Sequence, residues 1–487
     1  MGKRALAALA LALALLAGCA PAADPPAPLP TAESPSPSPQ PAATPAPEPA
    51  HGDRLEFYAF LEEASAARRS LLNRAEPTDL SAYTPDFYDQ NHTFTQEELD
   101  LLFTYRGAAE GLTREDLLAD ADTFFTLLQT TYGAYHYFGG DETFLPILDA
   151  VKEEVSGKQR FTAEILEDIL YRNLSPVLAD GHFQLGSRAM RDAHAQYMYY
   201  VPELYLDSPE GAEDPSYLKP TIGPDGRVCW WYAALSRDGR DLPSALDGHA
   251  LTWRRAGVSR QNDRDPAFSE EEWQGVPILT SRRMRDGGVL PTDQEALARF
   301  SSCGEEYAGS PLLIFDLRGN GGGSDKYIMN WFRGWTGAEA RPRTAFSHRY
   351  SQISCRAFDG SYPAERMGTY SHYSNPGAWA ERSGPVFALQ DKAVASSGET
   401  AVRFFRTAAD TLTVGGPTMG CSLTPNNLAL YLPRSSLGCY FGTGLSLSET
   451  GENIDGAGFL PDLWVEPVTA LDAVERLIAY YRLNTVQ

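Results

Sequence analysis

The chain reads as an α/β protein, and three stretches after Cys303 predict that class. Pro311-Leu312-Leu313-Ile314-Phe315-Asp316 is an unbroken apolar run of the buried-strand type, and it ends at a glycine-rich turn. Val386-Phe387-Ala388-Leu389 is a second such run, leading into a helix that carries Ala401, Val402, Phe404, Phe405 and Ala408. Thr411-Leu412-Thr413-Val414 is a third. Strands that alternate with turns and amphipathic helices imply a layered sheet with helices packed against it.

Upstream, residues 53–185 are expected to form a helical N-terminal domain. Thr95 and Glu98 make a capping-box pattern ahead of Leu99, Leu101, Leu102 and Phe103. Thr113 and Asp116 repeat it before Leu117, Leu118, Ala121, Phe124, Phe125 and Leu128, which follow the helical period. A further helix carries Ile165, Leu166, Ile169, Leu170 and Leu174 and stops near Pro176. From 190 to 303 the texture changes to a β-rich insertion. Runs such as Val228-Cys229-Trp230-Trp231-Tyr232 are separated by turn clusters such as Gly223-Pro224-Asp225-Gly226. The α/β core is expected over 304–487.

The N-terminus is of another kind. Lys3 and Arg4 precede an apolar run from Ala5 to Ala17, too short for a permanent membrane span. Leu16-Ala17-Gly18-Cys19 resembles a bacterial lipoprotein signal, which predicts a signal peptide over 1–18 and lipidation of Cys19; an ordinary cleaved signal with a chance cysteine is the alternative. Residues 19–52, rich in Pro, Ala, Ser and Thr, read as an extended linker lifting the rest off a membrane. Such an anchor makes the location extracytoplasmic, on the bacterial cell membrane. The net charge of −23 argues against nucleic acid as a partner. Beyond Cys19, the cysteines Cys229, Cys303, Cys355, Cys421 and Cys439 show no metal-ligand spacing, so neither a metal nor a cofactor is expected. Cys421 and Cys439 are a candidate disulfide that the sequence does not establish.

Three short stretches could carry chemistry. Asp316-Leu317-Arg318-Gly319-Asn320-Gly321-Gly322-Gly323 ends a buried strand in consecutive glycines, whose backbone can approach a ligand and turn its amides inward. The spacing is not that of a phosphate loop, leaving an oxyanion-binding turn or a plain tight turn. Ala395-Ser396-Ser397-Gly398-Glu399 lies at a strand-to-helix turn, where a serine is either an exposed nucleophile near helix N-terminal amides or a simple cap. Asp180-Gly181-His182-Phe183 precedes a short strand at Phe183-Gln184-Leu185. On composition alone His136, between Tyr135 and Tyr137, rivals His182 as a functional histidine.

Taken together and in this order, these stretches resemble the tail-specific (carboxyl-terminal processing) serine peptidases. Ser-Ser-Gly-Glu at 396–399, Gly-Gly-Pro-Thr-Met-Gly at 415–420 and Gly458-Phe459-Leu460-Pro461-Asp462 complete the likeness over the final third of the chain. The resemblance implies a crotonase-like core of ββα units over 304–487, serine endopeptidase activity through an acyl-enzyme, and a peptide or protein substrate. It sets Ser396 on the nucleophile. The processing enzymes carry a lysine base twenty-five residues later, where this chain has Cys421. A neutral thiol cannot act as that base, so the likeness is to the tricorn-like branch, which uses a histidine. His182 matches that histidine, Asp455 matches the acidic residue of its network with Glu452 as rival, and the amides of Gly323 and Ser397 match the oxyanion hole. Gly181 stands where that branch has a serine. No PDZ signature is visible over 190–303. A degenerate peptidase that binds peptides without cutting them is the alternative reading.

Overall fold

The computed structural model describes residues 51–73, 79–85, 94–259, 264–287, 289–337, 340–358, 366–382, 384–448 and 451–485. The predicted signal, Cys19 and nearly all of the linker lie outside the described residues. No described helix is long and apolar enough to cross a membrane.

The three predicted apolar runs form adjacent parallel strands, Leu313–Asp316, Val386–Gln390 and Thr411–Gly415. Leu463–Trp464 extends the sheet in parallel on one side. On the other side Val276–Ser281 pairs parallel to Leu313–Asp316 and antiparallel to Phe268–Trp273. Successive residues of a strand point to opposite faces, and the packing follows that rule. Leu313, Phe315, Val386 and Ala388 face helices Asp293–Ser302, Lys326–Thr336 and Ser397–Phe405. Leu312, Ile314, Phe387, Leu389, Leu412 and Val414 face helices Arg54–Asn73 and Ala470–Tyr480. Each buried aliphatic or aromatic side chain stabilises by roughly 1.5–3 kcal/mol, so this doubly covered sheet is the main core.

Two segments take positions different from those expected. The hairpin at 268–281 falls within the predicted 190–303 insertion, yet its backbone is hydrogen-bonded into the central sheet. The α/β layer therefore begins before residue 304. Helix Arg54–Asn73, expected in the helical domain, sets Phe57 and Leu61 against the central sheet instead. Within the insertion, Tyr197–Leu206, Leu218–Ile222, Val228–Ser236 and Arg254–Arg255 make a separate four-stranded sheet, whereas helix Asp293–Ser302 belongs with the central sheet.

The remaining helices form where the caps predict. Thr95 and Glu98 exchange backbone-to-side-chain bonds at the start of Gln96–Leu102, and Thr113 and Asp116 do the same before Arg114–Thr131. With Gly140–Ser156 and Ala163–Leu174 these helices have no core of their own. Phe124, Leu128, Leu166 and Leu170 share one cluster with Leu185, Leu430, Cys439, Phe441 and Leu445. Strand Gln184–Leu185 pairs with Gly438–Cys439-Tyr440 backbone through its register on the 438–442 strand. Thus the segment before residue 184 is fastened to the C-terminal third of the chain. All five described cysteines are free, so Cys421 and Cys439 do not form a disulfide; Cys439 is buried in that shared cluster.

The fastening is completed at Asp180, which is fully buried. Its carboxylate accepts from Tyr132 Oη at 2.7 Å and from Thr424 Oγ1 at 2.8 and 3.0 Å. Burial raises its pKa above the usual carboxylate range, so each donor matters. Thr424→Val removes one donor from a buried acid and is expected to lower unfolding stability by about 1–3 kcal/mol in urea titrations. An unchanged midpoint contradicts this role for the hydroxyl.

Candidate active site

Ser396 has the backbone conformation φ 53°, ψ −121°, at the start of helix Ser397–Phe405. A non-glycine residue with positive φ costs on the order of 1–3 kcal/mol and persists only where its surroundings over-determine it. Here they do. Ser396 N donates to Cys421 O at 3.2 Å and to Glu399 Oε2 at 3.3 Å, while Thr400 N donates back to Ser396 O at 2.9 Å. Ala395 N donates to Asn320 O at 3.0 Å, tying this turn to the glycine loop.

Glu399 is buried and accepts four hydrogen bonds. Its carboxylate takes Thr418 Oγ1 at 2.6 Å, Gly420 N at 2.7 Å and Cys421 N at 2.8 Å, besides Ser396 N. Burial pushes its pKa up, and the hydrogen bonds and the Lys392 charge pull it back. Its role is to pin the 418–421 loop against Ser396.

The glycine loop lies directly against the serine. A Cβ on Gly322 would stand 2.9 Å from Ser396 Cβ and 2.9 Å from Ser397 N, so only glycine permits this approach. Gly323 has φ 143°, and a Cβ there would meet the Met284 carbonyl at 2.1 Å. Gly322 O accepts from Met284 N at 2.9 Å and Ser324 N donates to Met284 O at 2.7 Å, a pairing that leaves the intervening Gly323 N–H unused. Among the described residues, neither Gly323 N nor Ser397 N donates to a protein acceptor. Asn320 sets the turn by accepting from Gly322 N at 2.9 Å and donating to Ser281. Asp391 accepts from Gly319 N at 3.0 Å.

His182 reaches this region through its neighbour. Gly181 packs so closely on Cys421 that a Cβ would lie 2.5 Å from Cys421 Cα and from Gly420 O. Cys421 thus touches Gly181 on one side and accepts from Ser396 N on the other. Glycine at 181 is required by this contact; a serine there would need the loop to move. Among the described residues no hydrogen bond joins the His182 ring to Ser396. Its Nδ1 is buried without a partner, and burial, helped by the Arg191 charge, lowers its pKa to about 4. His136 is likewise lowered by burial but belongs to the helical side, stacked edge-on to Tyr135.

Asp455 is buried, whereas Glu452 is exposed. The Asp455 carboxylate accepts from Gly181 N at 2.8 Å, Ser422 N at 2.9 Å and Leu423 N at 3.2 Å. It acts on the His182 segment through the Gly181 backbone, not through the imidazole. Burial and the nearby Asp180 carboxylate raise its pKa. Asn453 adds a bond from Nδ2 to Ala179 O at 2.7 Å. The Cys421 thiol is pushed far up by burial and by the Asp455, Glu399 and Asp180 charges, which keeps it protonated.

One residue was missed in the sequence. Lys392 Nζ donates to four backbone carbonyls, Thr418 at 3.0 Å, Met419 at 3.1 Å, Gly456 at 2.8 Å and Ala457 at 3.2 Å. Burial lowers its pKa to about 8 against the opposing pull of Glu399 and Asp455. No sequence pattern announces such a cage, because its acceptors are main-chain oxygens. Among the described residues no cluster of three or more His, Cys, Asp or Glu side chains is arranged to hold a metal ion.

Comparison with known proteins bears on this arrangement. Residues 290–465 match the model of peptidase family S41. No curated protein matches the chain. Among solved structures it is similar to mature CPAF complexed with lactacystin, at 14% identity and a TM-score of 0.43, covering 76% of this chain and 97% of that one. It is also similar to the photosystem II D1 C-terminal processing protease, at 14% identity and a TM-score of 0.35, covering 74% and 97%. A lipoprotein from Streptococcus agalactiae is similar at 12% identity and a TM-score of 0.38, covering 77% and 99%. The segment 290–465 that matches the peptidase family S41 model holds the glycine loop, Ser396, Glu399 and Asp455, and the match supports a serine-type peptidase, a hydrolase.

Proposed function

We propose that this chain is a serine endopeptidase that cleaves peptide bonds through an acyl-enzyme on Ser396. The observation that carries the reading is the strained Ser396 turn, set against a glycine loop with the unused amides of Gly323 and Ser397 beside it. In this reading Ser396 Oγ attacks the peptide carbonyl carbon as His182 takes the hydroxyl proton. The tetrahedral oxyanion rests on Gly323 N and Ser397 N, each donor lowering the barrier by roughly 3 kcal/mol. Collapse breaks the C–N bond, and His182 returns the proton to the departing amine. Water, deprotonated by the same ring, then hydrolyses the ester. Depression of the His182 pKa supports the role in one respect, since the ring is neutral at pH 7. Asp455 supports it by holding Gly181, and with it the start of the histidine segment.

The proposal extends to location. The Lys3-Arg4 start, the apolar run and Leu16-Ala17-Gly18-Cys19 support an extracytoplasmic protein tethered by lipid at Cys19.

A second reading is favoured by one specific observation. The His182 Nδ1 is unpartnered, and Asp180 and Asp455 are committed to other donors, so no carboxylate stands ready to stabilise an imidazolium. A peptide-binding lipoprotein with a degenerate site fits that geometry.

Fluorophosphonate labelling separates the two. Wild type is expected to react at one serine and Ser396→Ala not at all, while His182→Ala slows labelling by about 10²–10⁴-fold. Equal reaction of wild type and Ser396→Ala overturns the nucleophile. Unreactive wild type that still binds peptides by calorimetry supports the second reading. A base with its pKa near 4 also fixes the pH profile. Labelling should stay level from pH 7 to 5 and fall only as the ring protonates towards pH 4. A fall centred near the ordinary histidine pKa of about 6.5 contradicts a buried His182 base.

A further inference from the structure

Lys392 is a partly buried cation four residues before Ser396, and the mechanism above does not use it. A lysine of lowered pKa beside the serine invites the role of the base missing at position 421. The geometry argues otherwise. Its three N–H donors face four carbonyl oxygens within 3.2 Å, which favours the charged form, and no hydrogen bond among the described residues joins it to Ser396.

The four carbonyls come from two loops with different tasks. Thr418 and Met419 precede Gly420 and Cys421, whose amides bind Glu399; Cys421 O also accepts from Ser396 N. Gly456 and Ala457 follow Asp455, which holds Gly181 N beside His182. One ammonium group therefore joins the loop behind the serine to the loop behind the histidine. Neither pair of carbonyls bonds Lys392 by chance of surface position, since the side chain runs inward from the 391–395 turn, where Asp391 fixes the backbone by accepting from Gly319 N and Ala393 N.

Resting on the peptidase reading, we propose that Lys392 is a positioning residue whose ammonium sets the 418–421 and 455–457 loops in register, and that the rate of Ser396 acylation depends on it. A bound cation would be an equivalent tie, and that gives the test its sharpest form: a small cation should partly replace the missing ammonium.

Lys392→Met in the full chain is expected to slow fluorophosphonate labelling at least about ten-fold, since small misplacements of reacting groups cost up to about 10²-fold. In peptide hydrolysis kcat should fall while KM moves less than about three-fold. Lys392→Arg should retain more activity than Lys392→Met. For Lys392→Ala, ammonium chloride should restore labelling in part, and tetramethylammonium chloride at equal ionic strength should not. Unchanged labelling in Lys392→Met, or equal responses to the two salts, overturns the proposal while leaving Ser396 as nucleophile. If wild type itself does not label, the peptidase reading fails, and hydrogen exchange still decides the tie. Faster exchange confined to 418–423 and 453–458 in Lys392→Met supports it, and an unchanged pattern overturns it. Should Lys392→Met fail to fold, Lys392→Gln is measured in the same way with the same expected directions.

Discussion

Everything at this site depends on the carboxylate of Glu399, a buried acid that spends its acceptor capacity on the chain around the serine. It bonds the amides of Ser396, Gly420 and Cys421 and the hydroxyl of Thr418. Charge-assisted bonds of this type are about twice as strong as neutral ones, and several of them together can hold a backbone in a conformation it would otherwise avoid. The positive φ of Ser396 is the strain so held. Release the carboxylate, and the serine turn has little reason to remain where it is.

The same device recurs around the cleft. Asp455 gathers the amides of Gly181, Ser422 and Leu423, Asp180 gathers two hydroxyls and the amide of His182, and Asp391 gathers the amides of Gly319 and Ala393. These carboxylates do not pair with arginines, as Asp316 does with Arg318 and Arg282. They face N–H and O–H groups of loops that the core alone cannot define. The sheet supplies a rigid floor; the buried acids fix what stands on it. Burial raises the pKa values of Asp455, Asp180 and Glu399, the charges of Asp180 and Glu399 add to the rise at Asp455, and the Lys392 ammonium is the nearby cation that pulls Glu399 back.

Local signals were legible in the sequence and long-range ones were not. The buried runs at 313–316, 386–390 and 411–415 became strands because their apolar character needs no partner to be seen. Thr95 and Thr113 capped helices for the same reason. The hairpin at 268–281 escaped because Glu270, Glu271 and Glu272 make its outer strand look like solvent-exposed surface. It is an edge strand, where charge is the usual guard against further pairing. Helix Arg54–Asn73 shows an apolar stripe, but a stripe does not say which core it meets. Asp455 was found through resemblance; its target, a backbone amide at Gly181, could not be. Lys392 was invisible since its four partners are carbonyl oxygens that every residue possesses. The unoccupied Nδ1 of His182 is likewise a property of three-dimensional packing and has no trace in the order of residues.

In the proposed reading, the pair of amides at Gly323 and Ser397 is what separates an active site from a well-tied turn. A crystal structure of the full chain inactivated by a peptidyl phosphonate measures that directly. The account predicts a phosphonyl oxygen on the Ser396 adduct within about 2.7–3.1 Å of both nitrogens. An adduct whose oxygen points into solvent, with either amide bonded elsewhere, would contradict it.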